Sequence, residues 1–307
     1  MNERNQTLVT EFLLLGFGEL YYLKILLFSI VLIIYVMALA SNVLVVVLCV
    51  VIQSLHCPMY FFLSQLSLSE ILFTSNIVPN MLWLILVGAG KVSVSRCIFQ
   101  FFLLAFPTVF QCLMLASMSF DRYVAICKPL HYAIIMAFRP QVQIVTSCWL
   151  IGFMVSLVLY FLLNSLEFCG LNTINHYYCD ISPVVALSCS ENSSVGLVTS
   201  VLAFPVVVCP FMFISSTYIS IIHTILKIPS TNGRQKAFST CSSHLTVVGL
   251  YYGSLGSKYI FPSNSSSVNM NKGLSLLYTL VTPLVNPLIY SLRNQEIRSA
   301  IGKLIHL

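Results

Sequence analysis

Long apolar runs, broken by short polar segments, recur along the whole chain. A helix needs ~20 consecutive apolar residues to cross the hydrocarbon core of a bilayer. On that length, seven spans are predicted, over 24–51, 58–87, 94–127, 139–163, 195–227, 235–261 and 270–291. The connectors are short except the one between spans four and five, which carries Glu167, Asp180 and Glu191. Spans three and five exceed what a bilayer requires, which implies tilt or protrusion beyond the lipid. Prolines fall inside several spans, at Pro79, Pro107, Pro205, Pro210, Pro283 and Pro287. Each would cost about 3 kcal/mol in a soluble helix, but in a membrane bundle neighbouring helices satisfy the freed carbonyls. After the last span, Ile297, Ala300, Ile301, Leu304 and Ile305 recur at helical spacing. That pattern predicts an amphipathic helix lying along the inner membrane surface. The predicted fold class is therefore an all-α membrane protein: a seven-transmembrane helix bundle with a short amphipathic C-terminal helix. Its divisions are an extracellular N-terminal tail (1–23), the bundle (24–291) and a cytoplasmic helix (292–307).

Composition strengthens this reading. Only 8% of residues are charged and mean hydropathy is +0.92, whereas a soluble domain carries about 25% charged residues. Most of the surface must face lipid. The start, MNERNQTLVTEF, is polar and acidic rather than a basic region before a short apolar core, so the first span is expected to act as the targeting signal. With the amino terminus outside, nine Lys and Arg fall on inner segments and six on outer ones, the direction of the positive-inside rule. The net charge of +6 follows from topology. No long basic cluster points to nucleic acid, and no glycine motif to a bound nucleotide. His56, His131 and His176 form no convergent metal-ligand set.

In this topology Cys97, Cys169, Cys179 and Cys189 lie outside, an even number in the oxidising compartment. Four cysteines allow three pairings, and spacing does not choose among them. Sequons begin at Asn5, Asn192 and Asn264, all outside. Asn5, on a free tail, is the best glycan acceptor.

Particular residues add a resemblance. Asn42 in span one, LSLSE ending at Glu70 in span two, Asp121-Arg122-Tyr123 closing span three, Trp149 in span four and Asn286-Pro287-Leu288-Ile289-Tyr290 in span seven resemble the rhodopsin-like G-protein-coupled receptors. LHCPMYFFL (Leu55–Leu63), MSFDRYVAIC with KPLHY, KAFSTCSSHL (Lys236–Leu245) and PLIYSLRN (Pro287–Asn294) resemble the vertebrate odorant (olfactory) receptors, most closely the tetrapod-type class. The resemblance covers essentially the entire chain. Departures from the pattern are Ser41, Phe120, Asn80 and, in span three, Gln111 where Glu is common. Glu70 is thus the one ionisable group predicted deep in the bundle.

The resemblance implies a plasma-membrane receptor, not an enzyme, that binds a small volatile odorant and activates a heterotrimeric stimulatory G protein, raising cAMP. It needs no cofactor, and membrane lipid is its surroundings. It implies the pairings Cys97–Cys179 and Cys169–Cys189, which would fix the long loop over a cavity. It assigns the inner switch to Asp121, Arg122 and Tyr123, with Tyr218, His244 and Tyr290 at positions that hold the released arginine. A guanidinium alone at the membrane boundary is costly, so Asp121 is placed to neutralise it at rest. Glu70, costing at least ~2.5 kcal/mol if charged and unpaired in mid-membrane, is protonated, hydrated or linked to a sodium ion, beside Asn42 and Asn286.

Geometry places the ligand site. At ~1.5 Å per residue, Leu104 lies about 27 Å along span three from Arg122, in the outer half of the bundle. Leu104, Ala105, Thr108, Val109 and Cys112 share one face of that helix. Facing candidates are Leu202, Ala203 and Val206 in span five; Tyr252, Leu255 and Tyr259 in span six; and Leu276 and Thr279 in span seven. Ile181, just past Cys179, is a candidate roof. The set is apolar with a few hydroxyls. It lacks an Asp for an amine and a mid-span-seven Lys for a retinal Schiff base. A small, mostly apolar volatile ligand with one oxygen function fits it. Two other readings compete: a receptor of this architecture for a non-odour metabolite outside the nose, and a transporter or channel. The second would want inverted repeats or several mid-membrane charges, and the sequence displays neither.

Overall fold

The computed structural model describes residues 9–18, 22–189, 193–260, 268–293 and Ile297. The segment predicted as an amphipathic helix lies almost wholly outside these residues, as do the sequons at Asn5, Asn192 and Asn264.

Seven long helical stretches follow one another. Span one is Leu23–Val51, span two Pro58–Val87, span three Val94–Cys127 and span four Phe138–Asn164. Span five joins Ser193–Ala203 to Cys209–Leu226 through a wide π turn over Phe204–Val208. Span six is Thr231–Ile260. Span seven joins Val268–Leu276 to Thr282–Arg293 through a second π turn, Leu277–Val281. All but span six are apolar enough to cross a membrane by composition alone; span six carries more Ser, Gly and Lys.

The two π turns have a local cause. A proline removes its own N–H and crowds the carbonyl four residues earlier. For Pro210 that carbonyl belongs to Val206, and for Pro283 to Thr279, and each lies inside a π turn. The widened turn accommodates the freed carbonyl. Pro58 opens span two at a position where its missing N–H costs nothing.

Span three is the axis of the bundle: 61% of its most apolar stretch is buried, against 22% in span one. Span four packs closely on it at Gly152, where a Cβ would come within 3.0 Å of the Phe106 carbonyl oxygen. Trp149 stacks on Phe110 at 3.8 Å between ring centres, and its indole N–H donates to Gln65 Oε1 at 3.3 Å. Span one turns Ile25, Leu26 and Ile33 outward, an apolar face suited to lipid.

The outer end differs from the all-helical expectation. Residues Glu11–Leu14 form β1, the centre of a three-stranded sheet. It pairs antiparallel with β2 (Gly90–Ser93) and parallel with β3 (Thr173–Ile174). Phe12 and Leu14 are buried. Part of the predicted tail is therefore built into a sheet at this end of the bundle. Its partners are far away in sequence, and that pairing leaves no local trace.

Candidate functional site

The outer site centres on span three. Leu104, Ala105, Val109 and Cys112 are buried and Thr108 half-buried. Thr108 Oγ1 donates to its own helix at Leu104 O (2.8 Å) and shares a hydrogen bond with the Tyr278 hydroxyl of span seven (2.8 Å). The Tyr251 hydroxyl of span six donates to Thr108 O at 2.8 Å and stands 3.5 Å from Cys112 Sγ. One threonine and one cysteine thus tie spans three, six and seven together. The rings of Tyr251 and Tyr278 lie 6.1 Å apart, and Phe73 meets Tyr278 edge-on at 5.1 Å.

The other predicted ligand residues are distributed around this knot. Val206 and Leu255 are buried, and Leu202, Ala203 and Leu276 half-buried. Thr279 is fully buried and shares a hydrogen bond with the Tyr177 hydroxyl at 3.1 Å. Tyr252 packs on Phe211 at 5.0 Å. Its hydroxyl is buried, and among the described residues it meets only the Cys112 thiol, a weak partner that leaves it short of a full hydrogen bond. The Tyr259 side chain lies outside the described structure. Ile181 opens the short helix Ile181–Ala186, its N–H donating to Asp180 Oδ1 at 2.9 Å.

Two disulfides hold the loop over these residues, Cys97–Cys179 and Cys169–Cys189. Gln100 adds a further tie: its Oε1 accepts from the Cys179 N–H at 3.1 Å. Phe17, beyond β1, stacks on Tyr177 at 5.1 Å. Sequence reasoning missed Tyr177, Tyr251 and Tyr278. The signal was present, since each is a hydroxyl-bearing ring beside a residue already singled out, namely His176, Tyr252 and Thr279.

The inner site closes span three. Asp121 is 2% exposed and Arg122 17%, with Arg122 Nε 3.9 Å from Asp121 Oδ2. The Tyr132 hydroxyl, in the following loop, donates to Asp121 Oδ1 at 2.9 Å. Tyr123 is half-buried, with the Lys128 ammonium 5.9 Å from its ring centre. Tyr218 and His244 meet through a 2.7 Å hydrogen bond at Nδ1. Tyr290 is buried, and its hydroxyl has no hydrogen-bond partner among the described residues, while His244 also meets the Leu115 backbone. Arg122 lies within electrostatic reach of Tyr218, His244 and Tyr290.

Between the two sites, Glu70 is buried and accepts a hydrogen bond from Asn286 Nδ2. Asn42 Nδ2 donates to Ala38 O (2.9 Å) and Pro283 O (3.0 Å). The amide oxygens of Asn42 and Asn286 are buried without donors. Carboxylate and amide oxygens are ligands of the kind hard cations prefer.

A family model described as olfactory receptor matches residues 31–306. The chain belongs to the olfactory receptor family. It is 44% identical to human olfactory receptor 10R2 over 98% of this chain and 90% of that protein. It is 44% identical to mouse olfactory receptor 5P68 (99% and 96% covered) and 42% identical to human olfactory receptor 6Q1 (99% and 96%). An olfactory receptor is a multi-pass plasma-membrane protein that couples to a G protein and is not an enzyme. The disulfide-bonded end, which also holds β1, is the exterior, where oxidised cysteine pairs persist.

Proposed function

We propose that this olfactory receptor binds a small, mostly apolar odorant carrying one oxygen function, among Thr108, Cys112, Val206, Tyr252, Leu255 and Thr279. The observation that supports this most is the Tyr252 hydroxyl, buried beside an apolar face with only the weakly polar Cys112 thiol near it among the described residues. A buried hydroxyl left unpaired costs about 1–3 kcal/mol, and a ligand carbonyl, ester or hydroxyl oxygen repays it. Ligand contact near Tyr251 and Thr108 bears on spans three, six and seven at once, because one hydrogen-bond knot joins them. A ligand that prefers the loosened knot shifts the population toward an open cytoplasmic face.

At that face Arg122 is the coupling residue. Asp121 holds it at rest, and Tyr218, His244 and Tyr290 receive it when span six moves outward. The partner is a stimulatory heterotrimeric G protein and the output is cAMP. Glu70, with the Asn42 and Asn286 amide oxygens, holds a sodium ion, which supplies positive charge to a carboxylate buried in mid-membrane. The N-terminal tail carries its glycan at Asn5, and 292–307 lies on the inner membrane surface.

The test is a chemically diverse odorant panel read by cAMP in cells expressing the receptor, with Tyr252→Phe beside the wild type. Oxygenated ligands should lose potency by about tenfold in the variant, and hydrocarbons should not. Equal loss for both classes would remove Tyr252 from the site.

A further inference from the structure

A cavity lies on the outer flank of the bundle, between spans two and three. It has a volume of about 680 Å³, and none of the proposed ligand residues lines it. Its walls are Pro79, Asn80 and Trp83 from span two, and Arg96, Phe99 and Leu103 from span three. Trp83 and Phe99 are 45% and 50% exposed, so the cavity faces the lipid. Lys91, on β2, lies at its edge.

The polar groups are layered. At the rim, Lys91 is only loosely paired, 3.8 Å from Glu11, and both side chains are exposed. The Arg96 guanidinium makes no ion pair among the described residues. It sits in the first turn of span three, which has no acidic residue. A cation at a helix N-terminus adds to the positive end of the helix dipole, so the rim is positive at Arg96, while Lys91 shares its charge with Glu11. Deeper in, the side chain of Asn80 forms no hydrogen bond among the described residues. Below it the walls are apolar, at Pro79, Phe99 and Leu103. The floor is rigid, because Asn76 Nδ2 donates to Gln100 O at 3.0 Å and Gln100 is itself held by Cys179.

We propose that this cavity is a binding site for an outer-leaflet phospholipid. The phosphodiester sits between Arg96 and Lys91, an ester carbonyl accepts from the Asn80 amide, and an acyl chain lies along Phe99 and Leu103. Trp83 stands at headgroup level, where indole rings are favoured. Charge complementarity selects the occupant: an anion at the rim, a hydrogen-bond acceptor one layer down, and hydrocarbon beneath match a glycerophospholipid from head to tail. A neutral odorant would leave the cations unused. The inference depends on the membrane orientation of the family and not on where the odorant binds.

The experiment uses the full-length receptor in nanodiscs doped with a photoreactive phosphatidylcholine carrying a diazirine on one acyl chain. Crosslinked peptides are mapped by mass spectrometry. A diacylglycerol probe with the same chain and no phosphate runs in parallel and needs no variant. Labelling by the phosphatidylcholine should concentrate on 76–83 and 96–103, and the diacylglycerol should label these peptides about tenfold less. Arg96→Gln should lower phosphatidylcholine labelling there by a similar factor, leave labelling of the exposed face of span one unchanged, and be restored by Arg96→Lys. Equal labelling by the two probes would make the cavity an apolar vestibule and overturn the proposal. Labelling spread evenly over all lipid-facing helices would overturn it too. Neither result touches the odorant reading, which rests on cAMP.

Discussion

The Tyr132 hydroxyl donates to Asp121 Oδ1 at 2.9 Å, a full ångström closer than the nearest approach of Arg122 to the same carboxylate. The loop tyrosine therefore competes with the arginine for its counter-ion. Burial and the neighbouring Asp121 push the Tyr132 phenol well above its ordinary pKa. A raised phenol pKa keeps the proton on, so Tyr132 remains a donor throughout the physiological range. Removing that donor in Tyr132→Phe returns Asp121 wholly to Arg122 and strengthens the resting state. Hydrogen bonds to charged groups are worth about 1.5–3 kcal/mol. Odorant potency in a cAMP assay should fall by about tenfold, with basal signalling reduced. Raised basal signalling would mean that the tyrosine restrains the switch instead.

Arg122→Ala should abolish cAMP production while surface staining persists. The guanidinium pairs with Asp121, and in the variant that carboxylate keeps the hydrogen bond from Tyr132, so it is not left without a partner. Retained signalling would remove Arg122 from the coupling role.

Thr108→Val keeps the shape of the outer site but deletes the hydrogen bond to Tyr278. A buried neutral hydrogen bond contributes about 0.5–1.5 kcal/mol. The order of ligands in a panel should change, with oxygenated ones moving most. An unchanged ranking would place the site away from Thr108.

The spans themselves were legible to within a few residues. Spans two and three, predicted over 58–87 and 94–127, are Pro58–Val87 and Val94–Cys127, because Pro58 marks a helix start and Lys128-Pro129 a stop. Span six begins earlier than its apolar run suggests, at Thr231, where Ser230 Oγ accepts from the Gly233 N–H at 3.3 Å. The prolines of spans five and seven were visible, but that they would be absorbed by π turns depends on packing that no local pattern encodes. β1 escaped notice because it is only four residues long and both its partners are remote. Spacing left three cysteine pairings open, and only the resemblance chose one. Tyr132 shows the same limit: it closes the KPLHY motif, but nothing in that motif says that its hydroxyl folds back onto Asp121.

Sodium should weaken the response through Glu70. A cation held by Glu70, Asn42 and Asn286 joins spans one, two and seven and favours the closed arrangement by mass action. Raising external sodium at constant ionic strength should shift the wild-type odorant response to higher concentrations. Glu70→Gln keeps the shape, lacks the charge, and should give a curve independent of sodium. A wild-type curve already independent of sodium would leave a proton as the partner of Glu70.

The N-terminal segment should matter to odorant potency without touching odorant. Phe17 stacks on Tyr177 with the rings 12° from parallel, and the Tyr177 hydroxyl shares a 3.1 Å hydrogen bond with buried Thr279 in span seven. An aromatic pair contributes about 0.5–1.5 kcal/mol beyond its buried area. Phe17→Ala leaves Tyr177 free to tilt, which loosens the outer end of span seven beside the ligand residues. Potency should fall by up to about tenfold for every ligand in the panel, with ranking preserved. Tyr177→Phe cuts the link at its other end and should reproduce the effect. A loss confined to some ligands would mean that Phe17 contacts odorant directly, and an unchanged potency in both variants would detach the N-terminal strand from the ligand site.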